Sequence, residues 1–232
     1  MSEEQFPILT RIGIIGDVHG QVGPLRTAVT FLRGLSLDAL VCTGDLPPKG
    51  YTQTVESAML TNECALLLRD EGVLTVRGNH DRYFVENADD PTLYAMFRAE
   101  WDASGDALAF ARSLPAMLRF QTPGGELLLC HGVGADDRAG IYPAGEDAPI
   151  ADALTRIASA SSIRYLIAGH THCRLCRAVA GTTILNPGAL VGDKEPPGFA
   201  VADFGTGTAQ FYVFSAGGDV APCGDAVHWV YA

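Results

Sequence analysis

Short apolar runs alternate with amphipathic stretches along the first eighty residues, and each apolar run ends in glycine followed by polar groups. The run "RIGIIG" (11–16) predicts a strand, and over 23–35 the residues Leu25, Val29 and Leu32 repeat at helical spacing. "DALVCTG" (38–44) predicts a second strand, 54–69 a second helix and "GVLTVRG" (72–78) a third strand. This βαβαβ rhythm belongs to the α/β class. Residues 82–112 read as a mostly helical insertion carrying Tyr83, Phe84, Tyr94, Phe97 and Trp101, which either packs as an element or covers a site as a lid. "AMLRF" and "ELLLCHG" flank the turn signal "QTPGG", a hairpin over 116–132. A helix over 150–160 then leads to the strand "YLIAG" (165–169), and short strands punctuated by Gly, Pro and Asp follow. The second half reads as more antiparallel than the first, so two sheets are expected.

Composition adds bounds to this pattern. The 232 residues are 47% hydrophobic and 19% charged, enough for a full core, with a single domain over 1–232 as the default. No apolar run approaches the roughly 18 residues of a membrane span, and the start "MSEEQFPILTR" is acidic where a secretory signal is basic, so a cytoplasmic protein is expected. Cys42, Cys64, Cys130, Cys173, Cys176 and Cys223 are scattered through a chain too large to need a disulfide framework, and buried thiols are the expectation. The formal charge of −11 repels polyanions and disfavours an extended nucleic-acid groove. Phosphate chemistry would have to rest on local positive charge.

The candidate chemistry lies where the strands end. The first strand runs into "GDVHG" (Asp17, His19), the second into "GDLPP" (Asp45), and the third into "GNHD" (Asn79, His80). "LLLCHG" supplies His131, and "LIAGHTH" supplies His170 and His172, so five of the six histidines sit at such junctions. Ligands of open α/β sheets bind outside the carboxyl ends of the strands, where these groups should converge. One Gly-Asp or one histidine at a turn is ordinary structural chemistry; five such ends together describe a dinuclear metal site. Imidazole and carboxylate donors without thiolate favour manganese, iron, zinc or nickel over magnesium or calcium. On an extended backbone, residues i and i+2 of Asp-x-His would point the same way and grip one ion.

The ordered set "GDVHG", "GD", "GNHD", "CHG" and "GHTH" resembles the calcineurin-like metallophosphoesterase superfamily over roughly residues 11 to 190. The resemblance implies a four-layer α/β/β/α sandwich of two mixed β-sheets with the dinuclear metal site at the C-terminal strand ends. It also implies Asp17, His19, Asp45 and His172 on one ion, and Asp45, Asn79, His131 and His170 on the other, with Asp45 bridging. His80 would face the substrate as proton donor or phosphate ligand. Two divalent cations less two carboxylates and a bridging hydroxide leave a centre of about +1, which resolves the conflict with the acidic surface. The bridging hydroxide would attack phosphorus in line without a covalent phosphoenzyme.

Departures from subfamily patterns narrow the expected substrate. Protein serine/threonine phosphatases and diadenosine tetraphosphatases continue the second block as Gly-Asp-x-x-Asp-Arg-Gly, whereas here Pro48 and Lys49 replace that Asp and Arg. The tail "LNPGAL" (185–190) with "GFAVADF" (198–204) looks like the small bacterial phosphodiesterases. A phosphodiesterase acting on a small, nucleotide-like phosphorylated substrate is therefore the leading expectation, with a phosphomonoesterase or dinucleoside polyphosphate hydrolase as the alternative. A nuclease would need a basic groove, and a non-catalytic scaffold would show a gap in the ligand set. Arg77, Arg82 and Arg138 are the candidate substrate-binding cations, since a guanidinium forks onto phosphate oxygens. Cys173 and Cys176 form a Cys-x-x-Cys with no second pair, for which zinc or redox chemistry is the weaker reading, and His228 reads as structural or exposed.

Overall fold

A computed structural model of the chain describes residues 8–49, 54–157, 163–215 and 217–229. In the first half, β1 (Arg11–Ile15), α1 (Val22–Arg33), β2 (Ala39–Cys42), α2 (Val55–Asp70) and β3 (Leu74–Thr75) follow the predicted order. Helices α3 (Asn79–Asp89), α4 (Pro91–Met96), α5 (Arg98–Ala103) and α6 (Ala107–Ser113) come next, then the hairpin β4 (Met117–Thr122) and β5 (Gly125–Cys130). The chain continues through α7 (Asp147–Ile157), β6 (Ile163–Ile167), β7 (Leu175–Val179), β8 (Thr182–Asn186), β9 (Gly198–Asp203), β10 (Thr208–Phe214), β11 (Val220–Pro222) and β12 (Val227–His228). Residues 158–160 of the helix expected over 150–160 lie outside the described residues.

The strands form two mixed sheets. One runs β11-β10-β9-β1-β2-β3, with β12 on β10, and the other β4-β5-β6-β8-β7. The parallel pairs are β1/β2, β2/β3, β5/β6 and β6/β8. Alternation along the strands then sorts side chains into three apolar layers. Ile12, Ile14 and Val41 meet Leu127, Leu129, Ile167 and Leu185 between the sheets. Ile15 and Cys42 face the other way, onto Leu25, Val29 and Leu32 of α1 and Leu68 of α2. Leu128, Leu166 and Ile184 pack outward under Ile150 and Leu154 of α7. The result is the α/β/β/α sandwich, with the ends of β1, β2, β5 and β6 on one edge.

Local sequence explains the helices. In α1 the buried Leu25, Ala28, Val29 and Leu32 make one stripe. Thr54 caps α2 by accepting from the Ser57 N–H at 3.1 Å. For the helices over 79–113 the packing alternative holds at the apolar side chains: Phe84 and Trp101 are buried with ring centroids 5.3 Å apart, and Phe97 packs on the same cluster. The thiols divide three and three: Cys42, Cys64 and Cys130 are buried, while Cys173, Cys176 and Cys223 are half-buried, and all six are free. His228 is exposed on β12. No helix among the described residues is long and apolar enough to cross a membrane.

Candidate metal centre

The strand ends converge as the polar pattern requires. His19 Nε2 lies 3.1 Å from His172 Nε2 and 3.6 Å from Asp45 Oδ2, and His172 Nε2 lies 3.6 Å from Asp17 Oδ1. On the other side of Asp45, its Oδ2 is 3.4 Å from His131 Nε2. Asn79 Oδ1 sits 3.1 Å from His131 Nε2 and 3.0 Å from His170 Nδ1. Three overlapping groups have donor atoms close enough to share an ion: Asp17, His19 and His172; His19, Asp45 and His80; Asp17, Asp45 and His131.

The backbone that delivers these groups differs from the extended geometry expected of Asp-x-His. Asp17, His19, Asp45, His170 and His172 all have positive φ, between 34° and 66°, and make up five of the six non-glycine residues in that region among the described residues. Each costs of order 1–3 kcal/mol of strain unless its surroundings hold it. Here the loops lace together to do so. The His19 N–H donates to Asp45 O (2.8 Å), the His170 N–H to Asp17 Oδ1 (3.0 Å) and the Gly169 N–H to His131 O (2.8 Å).

Two further residues brace the frame. Buried Asp81 accepts from the backbone N–H groups of Asp45 (2.8 Å), Leu46 (2.9 Å) and Gly78 (2.8 Å), tying the second strand end to the third. Asn186, from the "LNPGAL" segment, donates to Gly169 O at 2.8 Å and fixes the turn that carries His170 and His172. Gly78 is required by close approach, since a Cβ there would lie 2.1 Å from Asp45 Oδ1.

On His19, His131 and His172 the second ring nitrogen sets the tautomer. His19 Nδ1 donates to Pro47 O at 3.0 Å and His131 Nδ1 to Thr43 O at 2.7 Å, while His172 Nδ1 meets Asp193 Oδ1 at 2.6 Å. The Nε2 lone pairs of neutral rings therefore turn inward, towards one another and towards carboxylate and amide oxygens. Acceptors face acceptors across the centre. Asp17 Oδ2 is buried with no hydrogen-bond partner, and Asp17 and Asp45 are only 0% and 2% exposed. Buried carboxylates so placed need cations. The chemistry of the donor set thus fits divalent ions.

Without ions, protons answer part of that need. Burial pushes Asp17 up to about 6, against the pull of His131. Burial would also raise Asp45, but the charge and hydrogen bond of His131, then His19, hold it well below the usual carboxylate range. Burial opposes a proton on His131, yet Asp45 and Asp17 carry it up to about 10. His19 is lowered to about 4, and His80 and His170 are lowered too, chiefly by burial. Asp81 is pushed up to about 7 by burial and by the charge of Asp45.

A cavity of about 220 Å³ opens above the centre, lined by His19, Asp45, Asn79, His80, His170 and His172, with Thr171, Lys49, Lys194 and Tyr142. Its cations are lysines, and the three arginines expected to bind substrate lie outside its lining. Arg82 is taken by Asp137, with Nε–Oδ2 at 2.7 Å and Nη2–Oδ1 at 3.0 Å, and by Glu86. Arg77 is half-buried and Arg138 exposed, and neither lines the cavity. Motif reading missed Lys194, Tyr142 and Asp193, which come from loops without a repeating pattern. It saw Lys49 only as a departure.

Comparison with known proteins gives a consistent picture. The calcineurin-like phosphoesterase superfamily domain matches residues 10–207. An uncharacterized protein of Methanocaldococcus jannaschii is 22% identical over 193 residues, covering 81% of this chain and 73% of its own. The crystal structure of a hypothetical protein from Pyrococcus horikoshii superposes with a TM-score of 0.64 at 16% identity, over 87% of this chain and 86% of its own. A metallophosphoesterase from Sphaerobacter thermophilus superposes with a TM-score of 0.56 at 22% identity, over 83% of each chain.

Proposed function

Since the chain belongs to the calcineurin-like phosphoesterase superfamily, we propose that it is a phosphodiesterase that hydrolyses a small-molecule, nucleotide-like diester with two divalent ions, manganese first among them. The observation that carries this reading is the inward-facing set of acceptors around Asp45, whose Oδ2 lies 3.6 Å from His19 Nε2 and 3.4 Å from His131 Nε2. One oxygen within reach of both groups is what a bridging ligand requires. Asp17, His19, Asp45 and His172 would hold one ion, and Asp45, Asn79, His131 and His170 the other. Such a pair, when bound, acidifies the attacking water and neutralises the phosphoryl oxygens.

The remaining steps belong to side chains. His80 lines the cavity, its backbone N–H donates to Asp45 Oδ1 at 2.8 Å, and its Nδ1 has no partner. Protonated in the substrate complex, it gives its proton to the departing alkoxide, a gain of roughly 10²–10⁴ in rate. Lys49 and Lys194 offer charge to phosphate oxygens, and Tyr142, 53% exposed, offers a ring face to a planar substituent. A cavity of about 220 Å³ is smaller than the roughly 300–1,000 Å³ that encloses a whole drug-sized ligand, so the phosphoryl group enters and the rest of the substrate lies across the rim.

The test is manganese-dependent hydrolysis of bis-p-nitrophenyl phosphate against p-nitrophenyl phosphate, with Asp45→Asn as control. Faster diester cleavage, abolished by Asp45→Asn, is the expected result. Monoester preference would move the assignment to a phosphomonoesterase. Absence of turnover with both substrates by the metal-loaded protein would favour a non-catalytic scaffold.

A further inference from the structure

His172 differs from the other histidines of the centre in how its outer nitrogen is held. His19 and His131 lean on backbone carbonyls, Pro47 O and Thr43 O, whereas His172 Nδ1 meets a carboxylate, Asp193 Oδ1, at 2.6 Å. The other oxygen of Asp193 is paired with Lys49. Three loops therefore join in one chain of contacts, from the end of β2 through the 187–197 connection to the turn after β6. The connection is itself fastened: Glu195 Oε2 accepts from the Arg174 N–H at 2.8 Å, and Arg174 Nη1 donates to Pro196 O at 2.8 Å. Asp193 is thus brought to His172 by contacts made two residues beyond that histidine. Its side chain is 24% exposed, and that of His172 only 7%.

We propose that Asp193 is a positioning residue of the metal centre, fixing His172 with Nε2 turned to the ion it shares with Asp17 and His19, and that Lys49 anchors Asp193 in that role. The proposal rests on the dinuclear reading above. A carboxylate on the outer nitrogen selects the tautomer and makes the inner nitrogen a stronger donor than a carbonyl does, and loss of such a partner costs 10–100-fold in metal affinity. The cost falls on one ion, because His131, Asn79 and His170 make no contact with Asp193 among those described. Lys49, with its side chain 46% exposed, also faces the cavity. Its anchoring role is therefore read from metal binding rather than from turnover.

Isothermal titration of the metal-free protein with Mn²⁺ tests this, comparing wild type, Asp193→Ala, Asp193→Asn, Asp193→Glu and Lys49→Met, with thermal midpoints of the metal-free forms alongside. Lys49→Met should weaken the same ion as Asp193→Ala by a smaller factor, and a wild-type titration for it would remove the anchoring role. Two ions on wild type, one of them weakened 10–100-fold in Asp193→Ala with an unchanged metal-free midpoint, is the expected result. Asp193→Asn, which keeps an acceptor without the charge, should fall between, and Asp193→Glu should recover part of the loss. Identical titrations for wild type and Asp193→Ala would overturn the proposal. So would equal weakening of both ions with a lowered metal-free midpoint, the mark of a merely structural residue. A wild-type chain that takes up no ion overturns the dinuclear reading itself, and this proposal with it.

Discussion

His80 stands with His19 and Asp45 in a group able to share an ion, yet its Nδ1 is buried without a partner. A ligand and an acid leave different signatures. Acting as the acid, His80→Gln should lower kcat about 10²–10⁴-fold on a substrate with an alkoxide leaving group and far less on a p-nitrophenyl ester, whose leaving group needs no proton. Manganese affinity should stay at the wild-type value; a matching fall in affinity would make His80 a ligand instead. The residues at the strand ends were legible because each terminates an apolar run, so side-chain type and place coincide. The left-handed backbone at Asp17, His19, Asp45, His170 and His172 was not, since aspartate and histidine enter that region more often than most residues but far less often than they adopt ordinary backbone. Asp193 was invisible for another reason: it reaches His172 only through tertiary contact, 21 residues along the chain.

At the scale of elements, the turn from β3 into α3 is where packing and chemistry meet. Gly78 has φ −85° and ψ 175°, which any residue can adopt, so its need is for space alone. Gly78→Ala should drive Asp45 and Asp81 apart, lower stability by about 1–3 kcal/mol and abolish tight metal binding. Denaturant melts with and without manganese would show both effects. Thr54→Ala, at the N-cap of α2, should cost about 1 kcal/mol and leave metal affinity untouched, separating helix stability from the centre. Strand boundaries were less legible. "GVLTVRG" reads as seven residues of strand, but only Leu74 and Thr75 enter the β2 ladder, with one further bond from the Val76 N–H to Cys42 O at 3.1 Å, because β2 itself ends at Cys42. The aromatic content of 82–112 fitted a lid and a packing element equally well, and only the burial of Phe84 and Trp101 distinguishes them.

For the whole molecule, ions held at the proposed centre would compete with protons for the same groups. His131, raised from 6.5 to about 10, stabilises the metal-free fold fully below pH 6.5, and that contribution is lost as pH rises towards 10. Asp17, raised from 3.8 to about 6, acts in the same direction at lower pH, with its contribution lost between those values. His19, lowered from 6.5 to about 4, acts oppositely, with stability lost as pH falls from 6.5 through 4. Ions require all three groups without their protons. The increase in thermal midpoint on adding Mn²⁺ should therefore widen as pH is raised from about 6 to about 8.5, and scanning calorimetry at fixed ion concentration would read it; a constant or shrinking increment would contradict the proton competition. The positive φ values at five of the candidate ligand positions carry a consequence for descent under mutation. Glycine at any of them would relieve backbone strain and remove a donor in one step. Lineages freed of demand for this centre could lose it by one such change, so its persistence in a descendant would record continued demand for the chemistry proposed for it.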